Sequence, residues 1–283
     1  MKRSCILGAA LGFTVAACLP VHAIVLRYEP KVGTVTKYKA SMAGRMHTSM
    51  AGMDEPMQME MTTSMEYTEK VLAKTEKGTK VETKLVSGEG QVNFAGQSQT
   101  IPIPTGRMVA ELDARGRLIE LIETDLGDDA AMQQVMGVGG ENFPNWPQFG
   151  TFPEGDVEEG QSWTGKLSIP VPGGGTGMEL TVKSRLLALT TFQDRKCAKV
   201  RSSFSGPMNL DMSAAGLPAE EDVEGSMEAN IEGDMLWYYD YENSIYVYGE
   251  GTVGMDMAFS MPEGMGGDMT SKMALNVKTG IAR

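Results

Sequence analysis

The residues of this chain best suited to chemistry sit in one stretch, "HTSMAGMDEPMQMEM" (residues 47–61), which gathers one histidine and five methionines. Thioether sulfur is a soft ligand that suits Cu(I). Met46, Met50 and Met61 with His47 are therefore candidate Cu(I) ligands; Met42, Met46, Met50, Met53 and Met57 fall near helical spacing, but Gly44, Gly52 and Pro56 argue against that helix. Other chemistries are scarce. His22 and His47 are the only two histidines, and His22 falls in an export signal. One imidazole excludes a multi-histidine zinc site, and any Ser-His-Asp or Cys-His arrangement would have to run through His47. No phosphate loop, dinucleotide fingerprint or EF-hand loop is present. Acid–base catalysis would have to use carboxylates alone, so the chain is read as a non-enzyme with no cofactor. Asp113 and Asp240 occupy turn positions, where Asp normally bonds to local backbone, and they are not read as a catalytic pair.

The start of the chain sets the compartment. "MKRSCILGAALGFTVAACLPVHA" has a basic n-region (Lys2, Arg3), an apolar run from Ile6 to Ala17 and a small-residue cleavage site ending at Ala23. The run is too short to span a bilayer, which takes about 20 residues. Residues 1–23 are thus a signal peptide, and the protein is expected in the periplasm or at the outer envelope of a bacterium. "VAAC" also fits a lipoprotein box, in which Cys18 would carry a lipid anchor; against this, the strand-like "AIVLRY" follows almost directly. Removing Lys2 and Arg3 takes the formal net charge from −12 to −14, a balance that disfavours nucleic acid and anionic membrane surfaces. With Cys5 and Cys18 in the signal, Cys197 stands alone in a strand-like setting and is read as an inert buried thiol. Acidic residues gather at 219–234 without the spacing of a calcium loop.

The elements that must position the methionines are strands. "VTKYKA", "KVETKLV", "RLIELI", "MELTVKS" and "SIYVYGEG" alternate with period two between Gly, Pro, Asn and Asp. The fold class is mainly β: antiparallel hairpins forming a curved sheet or half-open barrel, in two related modules with one short helix. That helix is expected near Asp125 to Val138, stopped by Gly139-Gly140. The modules are 24–141 and 156–283, joined by a Pro- and Gly-rich connector at 142–155. Repetition supports two modules. Gly33 and Gly160 each open a strand 127 residues apart, and "GRMVAELDARGRLIEL" from Gly106 aligns without gaps to "GDMLWYYDYENSIYVY" from Gly233.

"FPEGDVEEGQSW", with Pro153, Val157, Gly160 and Trp163 at their spacing, resembles the mid-chain signature of uncharacterised exported bacterial β proteins. Those also begin with an "LRY…G" strand, as "LRYEPKVG" does here. The resemblance implies architecture and compartment only. At the level of fold, repeated hairpins with one helix are similar to the half-open barrels of periplasmic lipoprotein carriers.

Placed in strands, the methionines acquire a face. With 51–56 as a turn, Met50 is expected opposite Met57, Met46 opposite Met61 and Met42 opposite Met65. With 262–268 as a second turn, Met261 faces Met269, Met257 faces Met273 and Met255 faces Leu275. Side chains alternate along a strand, so each hairpin carries one methionine face and His47 points away from it. Methionine is flexible and is favoured where one surface must accept varied apolar partners, but it also fills cores. The candidate ligand-facing set is Met42, Met46, Met50, Met57, Met61, Met65, Met255, Met257, Met261, Met269 and Met273, for a hydrophobic, lipid-like molecule or an envelope protein partner. Cu(I) binding is the alternative. Tyr238, Tyr239, Tyr241, Tyr246 and Tyr248 form an aromatic hairpin of ordinary strand composition.

Overall fold

Alternation of side-chain burial follows the alternation of the sequence. In β1 (Val35–Met50), Thr36, Tyr38, Met42 and Thr48 are buried while Lys37, Lys39, Arg45 and His47 are exposed. A strand buried on one side only must be covered by neighbours on that side. The computed structural model describes residues 23–50, 55–103, 105–125, 151–169, 178–211, 226–260 and 268–282. The other strands are β2 (Met57–Lys74), β3 (Thr79–Phe94), β4 (Gln97–Pro102), β5 (Gly106–Leu112), β6 (Leu118–Asp125), β7 (Ser162–Ile169), β8 (Met178–Phe192), β9 (Arg195–Asp211), β10 (Ser226–Asp240), β11 (Ile245–Ser260) and β12 (Met269–Ile281).

All twelve form one antiparallel sheet in the order β6-β5-β3-β2-β1-β12-β11-β10-β9-β8-β7, with β4 paired to β3 outside that path. The sheet is not closed into a barrel. Each half is a meander, and the halves join where β1 pairs with β12, from Tyr38 opposite Ile281 to Met50 opposite Met269. Among the described residues no helix occurs, and none is long and apolar enough to cross a membrane. The helix expected over Asp125 to Val138 lies outside the described residues, except that Asp125 ends β6.

Two glycines that each open a strand, 127 residues apart, share a local geometry. Gly33 (φ +84°) and Gly160 (φ +86°) sit in the left-handed region that glycine occupies without strain. Gly33 N donates to Val71 O at 2.9 Å and Gly160 N to Leu186 O at 2.7 Å. In return Val71 N donates to Thr34 O and Leu186 N to Gln161 O. The register then slips just past the same place in each half, between Val71 and Ala73 and between Leu186 and Ala188.

Two short segments plug one end of the sheet. Ile24 and Val157 exchange backbone hydrogen bonds of 2.9 Å each. Tyr28 N donates to Ala114 O in the β5–β6 turn, while Arg27 O accepts from Tyr239 Oη and from Ser244 Oγ at the equivalent β10–β11 turn. Phe152, with no exposed surface, packs on Trp237, Tyr239 and Tyr246 at ring separations of 5.8, 4.6 and 6.0 Å. Trp163 Nε1 of β7 donates to Thr151 O. These segments touch β2, β7, β10 and both turns at once, which a flat sheet of this width would not permit, so the sheet curves around them. The main core is one cluster that includes Leu26, Tyr28, Phe152 and Val157 beside residues of β1, β3, β8 and β10.

Candidate functional site

The inner face of the curved sheet changes character along the strands. At the plugged end it is aromatic and hydroxyl-rich. Tyr38 stacks on Tyr67 at 5.1 Å, Tyr67 Oη hydrogen-bonds Thr279 Oγ1 at 3.2 Å, and Tyr28 Oη donates to Glu69 Oε1 at 2.8 Å. Trp237 Nε1 donates to Ser202 Oγ, which also bonds Ser184 Oγ. Burial raises the Tyr28, Tyr38 and Tyr239 phenols well above their ordinary value. The Glu69 carboxyl is itself buried at the inner end of a half-buried residue. Desolvation raises its pKa, against the opposing effect of the hydrogen bond from Tyr28.

Toward the other end the inner face becomes methionine. In the β1–β2 hairpin Met46 lies opposite Met59, Gly44 opposite Met61, Ala40 opposite Met65 and Thr48 opposite Met57. In the β11–β12 hairpin Met255 lies opposite Met273, Phe259 opposite Met269 and Met257 opposite Ser271. The pairs expected from the sequence (Met46 with Met61, Met42 with Met65, Met257 with Met273) are thus each displaced by two residues. A shift of two leaves every side chain on its own face. Burial therefore fixes the face but cannot choose between these registers, which the turns decide. Met50 lies opposite Met269 across the β1–β12 junction, and residues 51–54 and Met261 lie outside the described residues.

The junction brings together Met46 and Met273, which lie 227 residues apart in the sequence. Met46 has Met59 on one side and Met273 on the other, and Met273 has Met255 beyond it. One row thus runs Phe94–Met59–Met46–Met273–Met255–Ile231 across β3, β2, β1, β12, β11 and β10. Met42, Met65 and Met255 are buried, whereas Met46, Met50, Met57, Met59, Met61, Met257, Met269 and Met273 are half-buried. Met59 was not in the candidate set, although its alternation with Met57 and Met61 already placed it on the same face.

This arrangement corrects the copper reading as first formulated. His47 is exposed on the outer face, opposite Gln58 and Lys272. Met61 lies opposite Gly44, so it sits six residues along the strand from the level of Met50, roughly 20 Å at 3.3 Å per residue. Met46, Met50 and Met61 do not converge. The thioethers that adjoin are those of Met59, Met46, Met273 and Met255.

The remaining expected features fall elsewhere. Asp113 Oδ1 accepts from Arg115 N and Arg117 N, and Asp240 Oδ1 accepts from Asn243 N, so both are turn residues. Asp240, 1% exposed at its side chain, also pairs with Arg195 at 2.9 Å. Cys197 is fully buried, and burial first, then the charge of Asp240, pushes its thiol up to about 11. Of the aromatic hairpin, Tyr239 and Tyr246 face inward, while Tyr238 and Tyr248 join Phe192 on the outer face. Of the acidic stretch 219–234, residues 226–234 lie in β10 and the rest are outside the described residues. Among the described residues no three His, Cys, Asp or Glu side chains gather as a metal site. A groove of about 1040 Å³ is lined by Ser41, Thr62, Ser64, Glu66, Gln91 and Lys278 among others, with Ser41 opposite both Ser64 and Lys278.

No protein-family model matches this chain, and neither does any curated protein. Among solved structures it is similar to a DUF1329 family protein from Desulfovibrio piger, with 9% sequence identity over 86% of this chain and 85% of that one. The TM-score of that likeness is 0.17.

Proposed function

We propose that this protein is exported to the bacterial envelope and binds an apolar, flexible ligand of the lipid acyl-chain class on its methionine face, without catalysing a reaction. The observation that carries this reading is the half-burial of eight methionines on one face, at the end of the sheet away from the plug. Thioether side chains adapt their shape at low cost, so such a face accepts a chain of varied length and unsaturation. A rigid core would use Val, Ile and Leu. The aromatic end is already filled by Leu26, Tyr28 and Phe152, so the ligand lies along the methionine end. An apolar segment of a partner protein would use the same surface.

Native mass spectrometry of the mature chain purified from its own envelope tests this, together with titration of a fluorescent fatty acid. Retained lipid-like mass and saturable probe binding are expected. Lys in place of Met46 and Met273 should weaken the probe at least about ten-fold, because a charge is then buried against the chain, while His47→Ala leaves it unchanged. Clean apo spectra from several preparations with no probe binding would overturn the reading.

A further inference from the structure

We propose that Met46, Met59 and Met273 form an all-thioether site for a soft monovalent ion, Cu(I) or its surrogate Ag(I), with Met255 as an adjoining fourth donor. This site does not depend on the apolar-ligand reading, although the two would compete for the same row. Three geometric facts carry it. Met46 is the direct cross-strand neighbour of both Met59 and Met273. Such neighbours stand about 4.5–5.5 Å apart at Cβ. Three sulfurs around one ion at about 2.3 Å, the usual metal–sulfur distance, lie about 4 Å from one another. The outer two thioethers therefore need only lean toward Met46, which their free torsions and the inward curvature of the sheet allow.

The surroundings are selective. The next rows on either side place Gly44 and Leu275 at one flank, and at the other the buried hydrogen bond between Thr48 and Ser271 Oγ atoms, 2.8 Å. The charged groups of this region (Arg45, His47, Glu60, Asp256 and Lys272) alternate onto the outer face, where Arg45 pairs with Glu60 and Lys272 with Asp256. A donor set without imidazole, carboxylate or thiolate is poor for Zn(II), Ni(II) and Cu(II), and suits a soft monovalent ion. Thioethers hold no proton to displace, so binding here is independent of pH, unlike binding at a His or Cys site. The ion enters by ligand exchange with no change of oxidation state.

The test is titration of the full mature chain with Ag(I), read by NMR of 13C-methyl methionine and by native mass, and with Cu(I) against a competing chelator. One ion per chain is expected. The largest shifts should fall on Met46, Met59 and Met273, with Met42 and Met235 unmoved and affinity constant between about pH 5 and 8. Met46→Leu keeps the apolar face but removes the central donor. It should weaken retention at least about ten-fold, since losing a ligand costs no less than losing a group that supports one. Met50→Leu and His47→Ala should have no effect. Shifts spread evenly over all methionines, an unchanged Met46→Leu, or no binding at micromolar ion would each overturn the proposal. The ion titration and the fatty-acid titration are run separately on the unsubstituted chain, so failure of the metal site and failure of the lipid reading are told apart.

Discussion

Phe152 offers the most direct test of how the curved sheet is held. Its ring has no exposed surface and meets Trp237, Tyr239 and Tyr246, while its backbone N donates to Arg115 O at 3.3 Å and its O accepts from Arg115 Nε at 2.9 Å. Phe152→Ala leaves the backbone bonds in place and removes the ring. Truncating a buried Phe costs about 3–5 kcal/mol through lost transfer energy and the cavity left behind. Three ring pairs place this site toward the upper half of that range. For a domain of about this size 1 kcal/mol moves Tm by roughly 2–4 °C, so a cost of about 4 kcal/mol lowers it by roughly 8–16 °C. Phe152→Leu restores most of the volume but not the ring pairing, and should cost about 1–2 kcal/mol. Both are measured by thermal melting and by denaturant titration, with Trp237 fluorescence as the local reporter. A Phe152→Ala protein that melts within about 2 °C of the parent would refute the argument. The segment would then be only a connector, and the sheet would need another cause for its curvature.

Two further outcomes follow from groups at the same end. Burial raises the Glu69 pKa, so this group contributes stability fully present below its unfolded pKa of about 4.3 and lost as pH rises through the higher folded value. Glu69→Gln keeps an acceptor for Tyr28 and cannot ionise, so relative to the parent it should gain stability from pH 4 to pH 8; parallel melting curves across that range would show that the carboxyl is not desolvated. Asp240→Ala should cost about 3 kcal/mol, because Arg195 and the turn lose a buried partner. Asp113→Ala, at the equivalent turn with a side chain 19% exposed, should cost about 1 kcal/mol, and equal losses in denaturant titration would sink this ranking.

Much of the fold was legible because strands declare themselves by alternation, and one buried face makes that alternation strict. The methionine face, the outward His47 and the equivalence of Gly33 with Gly160 all follow from side-chain parity and turn chemistry. Parity fixes register only modulo two, and this is where Met46 acquired Met59 in place of Met61. Phe152 was read as part of a connector because Pro153 and the neighbouring glycines break any period, so nothing local marks its ring as core. The junction of β1 with β12 was not legible at all: no local pattern in either strand names the other. The adjoining set Met59, Met46, Met273 and Met255 rests on that junction, so the site could be placed on a face but not assembled. Glu69 was missed for a related reason, since Tyr28, its hydrogen-bond partner, arrives from a separate segment.

The junction also sets a timetable. The strand that completes the middle of the sheet comes last in chain order among the twelve described: Met50 waits for Met269, and Tyr38 for Ile281, separations of 219 and 243 residues. The entropy of closing so long a loop grows only slowly with its length, but contacts of this separation are late and slow to form. Until β12 arrives, β1 presents a full-length open edge beside β2 that invites pairing with other chains. Before β12 is in place the chain therefore cannot settle into its final sheet. Loss of β12 would split the sheet at its centre rather than trim it at a margin.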